Sequence, residues 1–142
     1  MPTRLAHNAG EHDHYATVLC ALIDVDLHSP YAGERRAHAP LLVEDGGARF
    51  IALDGGVPIG VSRRTSYLEQ VVAVTPDTTL LAFTDGLVAR RGEVLDAGFA
   101  RLREAVAGQS LPPSELLAKL VRDRATDEHR DDIAIVGIRW HR

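Results

Sequence analysis

LLAFTDGLVARRGEVLDAGFARLREAV, Leu80 to Val106, opens as an apolar run, breaks at an Asp-Gly pair and then changes its period. The start, TLLAFT from Thr79, reads as a buried strand bounded by turn residues. Beyond Val94, Leu95, Phe99, Leu102 and Val106 recur every three to four residues, and Gly108 supplies a stop signal. That spacing predicts an amphipathic helix. Between strand and helix stands Asp85-Gly86, which has two readings. Asp-Gly is among the commonest two-residue hairpin turns, whereas a carboxylate at a strand exit is also a ligand for a hard cation. The stretch alone leaves both open.

Downstream, LPPSELLAKLVRDRA (111–125) predicts a second helix, with Ser114 as N-cap and Leu116, Leu117, Leu120 and Val121 as its apolar stripe. IAIVGIRW (133–140) reads as a closing strand buried on at least one face. Upstream, HYATVLCALIDVD (14–26) predicts a long strand ending in a turn cluster, LHSPYAGE. RRAHAPLLVED (35–45) predicts a strand whose Pro40 marks an edge or a bulge. Gly46-Gly47 turns it into ARFIAL as a hairpin partner. DGGVPIGVSRR is a Gly/Pro loop, YLEQVVAVTP a further strand and PDTT a turn. Strands, then two helices, then one more strand is an α+β order rather than a βαβ alternation.

With 142 residues, 45% of them hydrophobic, the chain suits a single domain over 1–142 with one core. Residues 1–14 read as a mobile or helix-end leader. The formal net charge is -4 and the basic residues are scattered, which argues against a nucleic-acid partner. One cysteine, Cys20 in an apolar run, excludes an internal disulfide and suits a reducing cytoplasm. There is no apolar run of about 18 residues for a membrane span and no signal-peptide core.

If the strand ending at Thr84 and the strand beginning at Ile133 are antiparallel neighbours, Asp85, Asp131 and Asp132 arrive at one end of the sheet. Oxygen ligands without a paired His or Cys favour Mg²⁺ or Mn²⁺. Gly86 would let the backbone approach the ion closely. The bland alternative is a turn residue plus a solvated acidic loop.

The whole Leu80–Val106 stretch resembles the signature block of the SpoIIE/RsbU-like branch of the metal-dependent (PPM-type) protein serine/threonine phosphatases. RDDIAIVGIRW is similar to that family's closing Asp-Asp strand, YATVLCALIDVD to its Ala-Thr strand, RAHAPLLVEDGG to its His-x-Pro segment and GGVPIGV to its Pro-Leu-Gly loop. The resemblance implies a partial β-sandwich of mostly antiparallel strands, with two helices inserted before the last strand and a Mn²⁺ or Mg²⁺ centre at one end. It implies that Asp85 and Asp131 are metal ligands, with Asp132 and Gly86 beside them. The implied reaction is hydrolysis of a phosphoserine or phosphothreonine by cation-activated water. The implied substrate is a small anti-anti-sigma (STAS) protein, and the implied role is control of a sigma factor.

The family's acidic Gly-Asp-x-x-Asp and Asp-Gly-His/Met-Gly motifs are absent from this sequence, and RAHAP lacks the glycine before His38. The chain therefore resembles the C-terminal portion of the domain. An inactive remnant that binds a regulatory partner is the competing reading. His7, His12 and His14 read as a polar linker, and Arg90 and Arg91 as candidate contacts for a substrate phosphate. An incomplete sandwich exposes ladder edges, so the expectation is self-association or a rearranged sheet, with a homo-oligomer or a missing N-terminal segment as the candidate partner.

Overall fold

The computed structural model describes residues 18–24, 29–35, 39–52, 70–125 and 132–141. Seven strands and two α-helices lie among them: β1 Val18–Asp24, β2 Ser29–Arg35, β3 Leu41–Glu44, β4 Gly47–Phe50, β5 Gln70–Val71, β6 Thr79–Phe83, α1 Leu95–Val106, α2 Pro113–Ala125 and β7 Ile135–Arg139. They fall into two compact units, Met1–Ala37 with Ala52–Val74, and His38–Ile51 with Thr75–Arg142.

In the first unit β1, β2 and β5 form an antiparallel sheet in that order. β1 pairs with β2 from Val18 opposite Arg35 to Asp24 opposite Ser29. The cluster expected to be only a turn, LHSPYAGE, thus supplies most of a strand. Its Pro and Gly argued for a turn, but seven consecutive cross-strand pairings with an aliphatic neighbour outweigh that local preference. Of the strand expected over YLEQVVAVTP, only Gln70–Val71 pairs among the described residues.

The second unit holds the sheet β4-β3-β6-β7, antiparallel throughout. β3 and β4 are joined by a two-residue loop, Asp45-Gly46, with Glu44 opposite Gly47. Gly46 has φ +90, the left-handed conformation such a turn requires. Pro40 marks no edge: it lies just outside β3, and β3 is central, flanked by β4 and β6. A proline ahead of the first ladder residue removes no donor from the sheet. Its carbonyl extends the hairpin by accepting the Ile51 amide at 2.8 Å.

Alternation along the strands turns Leu41, Val43, Leu81 and Phe83 to one face, and the helices cover it with Leu102, Val106, Leu116 and Leu120. Phe99 on α1 meets Phe50 edge-on at 5.2 Å and Phe83 at 6.3 Å, which seats α1 over β4 and β6. Leu42 and Leu80, on the opposite face, are also buried. β7 alternates between half-buried and exposed, as a strand with one protected face should.

Both helices form where the periodicity placed them, with two local differences. α2 begins at Pro113, so Ser114 lies inside its first turn rather than at the cap. A proline is well suited to the first helical position, where no amide donor is needed. Val121 is 41% exposed, so the stripe of α2 runs through Leu116 and Leu120 with Leu117 at its margin. On α1, Leu95 is likewise exposed, and Gly98, Leu102 and Val106 make the buried row.

Candidate metal centre

β6 leads directly into a 3-10 turn, Asp85–Leu87, rather than into a hairpin. Of the two readings of Asp85-Gly86, the hairpin turn is therefore removed. The turn closes through Leu87 N–H to the Thr84 carbonyl at 3.0 Å and Val88 N–H to the Asp85 carbonyl at 2.9 Å. Asp85 is exposed, while Gly86, Leu87 and Val88 are buried beneath it. The Asp85 Oδ1 accepts the Gly86 amide at 3.0 Å, which orients the carboxylate from within the turn.

β7 is the antiparallel neighbour of β6, in register from Thr79 opposite Arg139 to Phe83 opposite Ile135. One residue further, the Thr84 amide donates to the Ala134 carbonyl at 2.9 Å, and the Thr84 hydroxyl oxygen accepts the Ala134 amide at 2.9 Å. The exit of β6 and the entrance of β7 are thereby stapled together. Asp85 and Asp132, each just beyond this staple, emerge at the same end of the sheet. Asp131 lies outside the described residues, as do His38 and the N-terminal histidines. No group of three or more His, Cys, Asp or Glu side chains with metal-ligand spacing occurs among the described residues. Asp85 and Asp132 are exposed oxygen donors, a set that fits a hard divalent cation completing its shell with water and substrate oxygens.

Gly86 also ties the turn to α2. Its carbonyl accepts Arg124 Nε at 2.8 Å in a buried setting, so its backbone oxygen is directed to that guanidinium. Arg124 on α2 also donates to the Ala89 carbonyl, and Arg101 on α1 donates to the Val88 carbonyl at 3.1 Å while pairing with Glu93 at 2.7 Å. Two helices thus hold three carbonyls of the turn and its exit, those of Gly86, Val88 and Ala89. Sequence reading overlooked Thr84, Arg101 and Arg124; a hydroxyl beside Asp85 was visible, but neither arginine carries a local signal. Arg90 and Arg91 follow the turn, Arg90 half-buried and Arg91 exposed, with Gly92 at φ +80 bending the chain back toward α1.

Gly98 permits the close approach of α1. A Cβ there would fall 2.2 Å from the Val88 carbonyl oxygen. Behind the turn, Leu87, Leu102 and Leu120 border a cavity of about 60 Å³, well short of the roughly 300 Å³ at which small-molecule pockets begin. Asp85 and Asp132 themselves are open to solvent.

The sheet, the inserted helices and the carboxylates at one sheet end define an α+β fold of the PPM phosphatase class, present here in part. The model of the Stage II sporulation protein E (SpoIIE) family matches residues 3–141, and the chain belongs to that family. Among solved structures, it is similar to the RsbU and RsbW domains of Rv1364c from Mycobacterium tuberculosis (TM-score 0.79, 22% identity, covering 88% of this chain and 37% of that one). It is also similar to the PP2C phosphatase domain of the cell fate determinant SpoIIE from Bacillus subtilis with a fragment of its regulatory domain (0.72, 17%, 91% and 39%). The Mn-presoaked phosphatase domain of that protein gives 0.62 and 14%, covering 89% of this chain and 57% of the other. This chain thus spans between about a third and three fifths of the chains it resembles. None of the curated proteins matches it in sequence.

Proposed function

We propose that this chain carries part of the metal centre of a protein serine/threonine phosphatase acting on a phosphorylated regulatory protein of the anti-anti-sigma (STAS) type in the cytoplasm. The observation that carries the reading is the β6–β7 register, stapled by Thr84, which delivers Asp85 and Asp132 to one sheet end. Asp85, with Asp131 and Asp132, would hold Mn²⁺ or Mg²⁺. When bound, such an ion supplies charge neutralisation for phosphoryl oxygens and a water of lowered pKa. The protein's own part is positioning: Thr84 fixes the separation of the two strand ends, and the Gly86 amide aims the Asp85 carboxylate. Arg90 and Arg91 are placed after the turn to meet a phosphate with charged hydrogen bonds.

Mn²⁺ titration followed by electron paramagnetic resonance, alongside release of phosphate from a phosphorylated STAS protein, tests this reading. Asp85→Asn should abolish both Mn²⁺ uptake and any turnover. Equal Mn²⁺ uptake by wild type and Asp85→Asn would overturn it.

A second reading is a non-catalytic module that binds a sigma-regulatory protein, since the acidic Gly-Asp-x-x-Asp and Asp-Gly-His/Met-Gly motifs do not occur in this sequence. It predicts STAS binding that is indifferent to Mn²⁺ and to Asp85→Asn, with no phosphate released.

A further inference from the structure

We infer that Arg124, at the far end of α2, is the positioning residue for Asp85. The inference rests on the metal reading of Asp85 and concerns how that carboxylate is held.

Arginine in the last turn of a helix ordinarily serves the helix's own terminal carbonyls. Arg124 does otherwise. It is 8% exposed, and its fork donates from Nε to the Gly86 carbonyl at 2.8 Å and from Nη2 to the Ala89 carbonyl. A 3-10 turn leaves its last carbonyls without partners inside the turn. Gly86 and Ala89 bracket its end, so holding both fixes the tilt of the segment whose first residue is Asp85. A guanidinium presents its donors in one rigid plane, and two carbonyls bound to that plane cannot swing independently.

Burying a cation costs free energy unless its donors are satisfied. Here the Gly86 and Ala89 carbonyls offset that cost while residues 86–89 keep the conformation that points them at α2. Turn and helix are therefore conditional on each other, across 38 and 35 residues of chain. Arg101 adds a single bond to Val88 and is already engaged by Glu93, which makes it the lesser support. The two Arg124 bonds named above go to main-chain carbonyls, and through them it acts on the orientation of the carboxylate.

The experiment compares the wild-type chain with Arg124→Gln, Arg124→Lys and Leu116→Ala. The last removes buried α2 packing near the opposite end of the helix from Arg124. Two readouts are taken: amide hydrogen exchange at Leu87, Val88 and Ala89 relative to the amides of β6, and Mn²⁺ affinity. Arg124→Gln is expected to speed exchange at those three amides at least tenfold relative to β6 and to weaken Mn²⁺ at least tenfold. Arg124→Lys, which keeps the charge but not the fork, should fail to restore either. Leu116→Ala should lower the unfolding midpoint yet leave both readouts close to wild type. The inference is overturned if Arg124→Gln matches Leu116→Ala in both readouts, if lysine restores both, or if the turn loosens while Mn²⁺ affinity holds. A wild-type chain that takes up no Mn²⁺ would remove the metal reading alone, and the exchange readout would still decide whether Arg124 holds the turn.

Discussion

Thr84 joins the two strand ends with a side chain that is exposed at the residue level, so its contribution is readable by mutation. Thr84→Val keeps the shape and removes the oxygen that accepts the Ala134 amide. A net loss of about 1 kcal/mol is expected for such a bond, measured by urea unfolding, together with weaker Mn²⁺ binding. Gly98 and Gly137 give opposite outcomes for the same substitution. At Gly98→Ala the new methyl would collide with a backbone carbonyl oxygen 2.2 Å away, which cannot give way without moving the turn. Overpacking of this kind costs about 1–3 kcal/mol. At Gly137→Ala the nearest atoms are the ends of Leu81 and Leu117 at 3.4 and 3.5 Å. Relief of the glycine's flexibility should make that change neutral or stabilising by up to about 1 kcal/mol. The place of Asp85 at the exit of β6 was legible in the sequence because the apolar run breaks there. Arg124 was not, because a lone arginine near a helix end looks like a solvating residue until its carbonyl partners, more than thirty positions away, are known.

At the level of elements, periodicity carried the reading. β6, α1, α2 and β7 form where the hydrophobic spacing placed them, since each buries a face with its own period. The errors fall where local chemistry and pairing disagree. Pro40 and the Ser29–Arg35 run both contain residues that disfavour strands in isolation, and a ladder of cross-strand bonds settled them otherwise. The stripe of α2 was drawn one residue too wide, because a hydrophobic face near 100° does not say which flank meets the core. That difference is measurable: Leu120→Ala should cost about 2–5 kcal/mol, and Val121→Ala less than about 0.5 kcal/mol, by thermal or urea unfolding.

For the molecule as a whole, β7 ends the four-stranded sheet among the described residues, and its outward side chains Val136 and Ile138 are 57% and 36% exposed. An apolar edge is a template for another strand. The 142-residue chain is therefore expected to associate as its concentration rises, observed by size-exclusion chromatography with light scattering, and Val136→Lys should shift it toward monomer. Strictly monomeric wild type at high concentration would contradict this. Among the described residues no helix is long and apolar enough to cross a membrane.

Thr84 reaches partners 48 and 50 positions away, and α1 and α2 lie between them in the chain. Contacts across so long a span form only after the intervening entropy has been lost. The acidic sheet end is thus expected to form late in folding: α1, α2 and the β3–β4 hairpin are local, whereas bringing Asp85 and Asp132 to one end waits on the β6–β7 pairing.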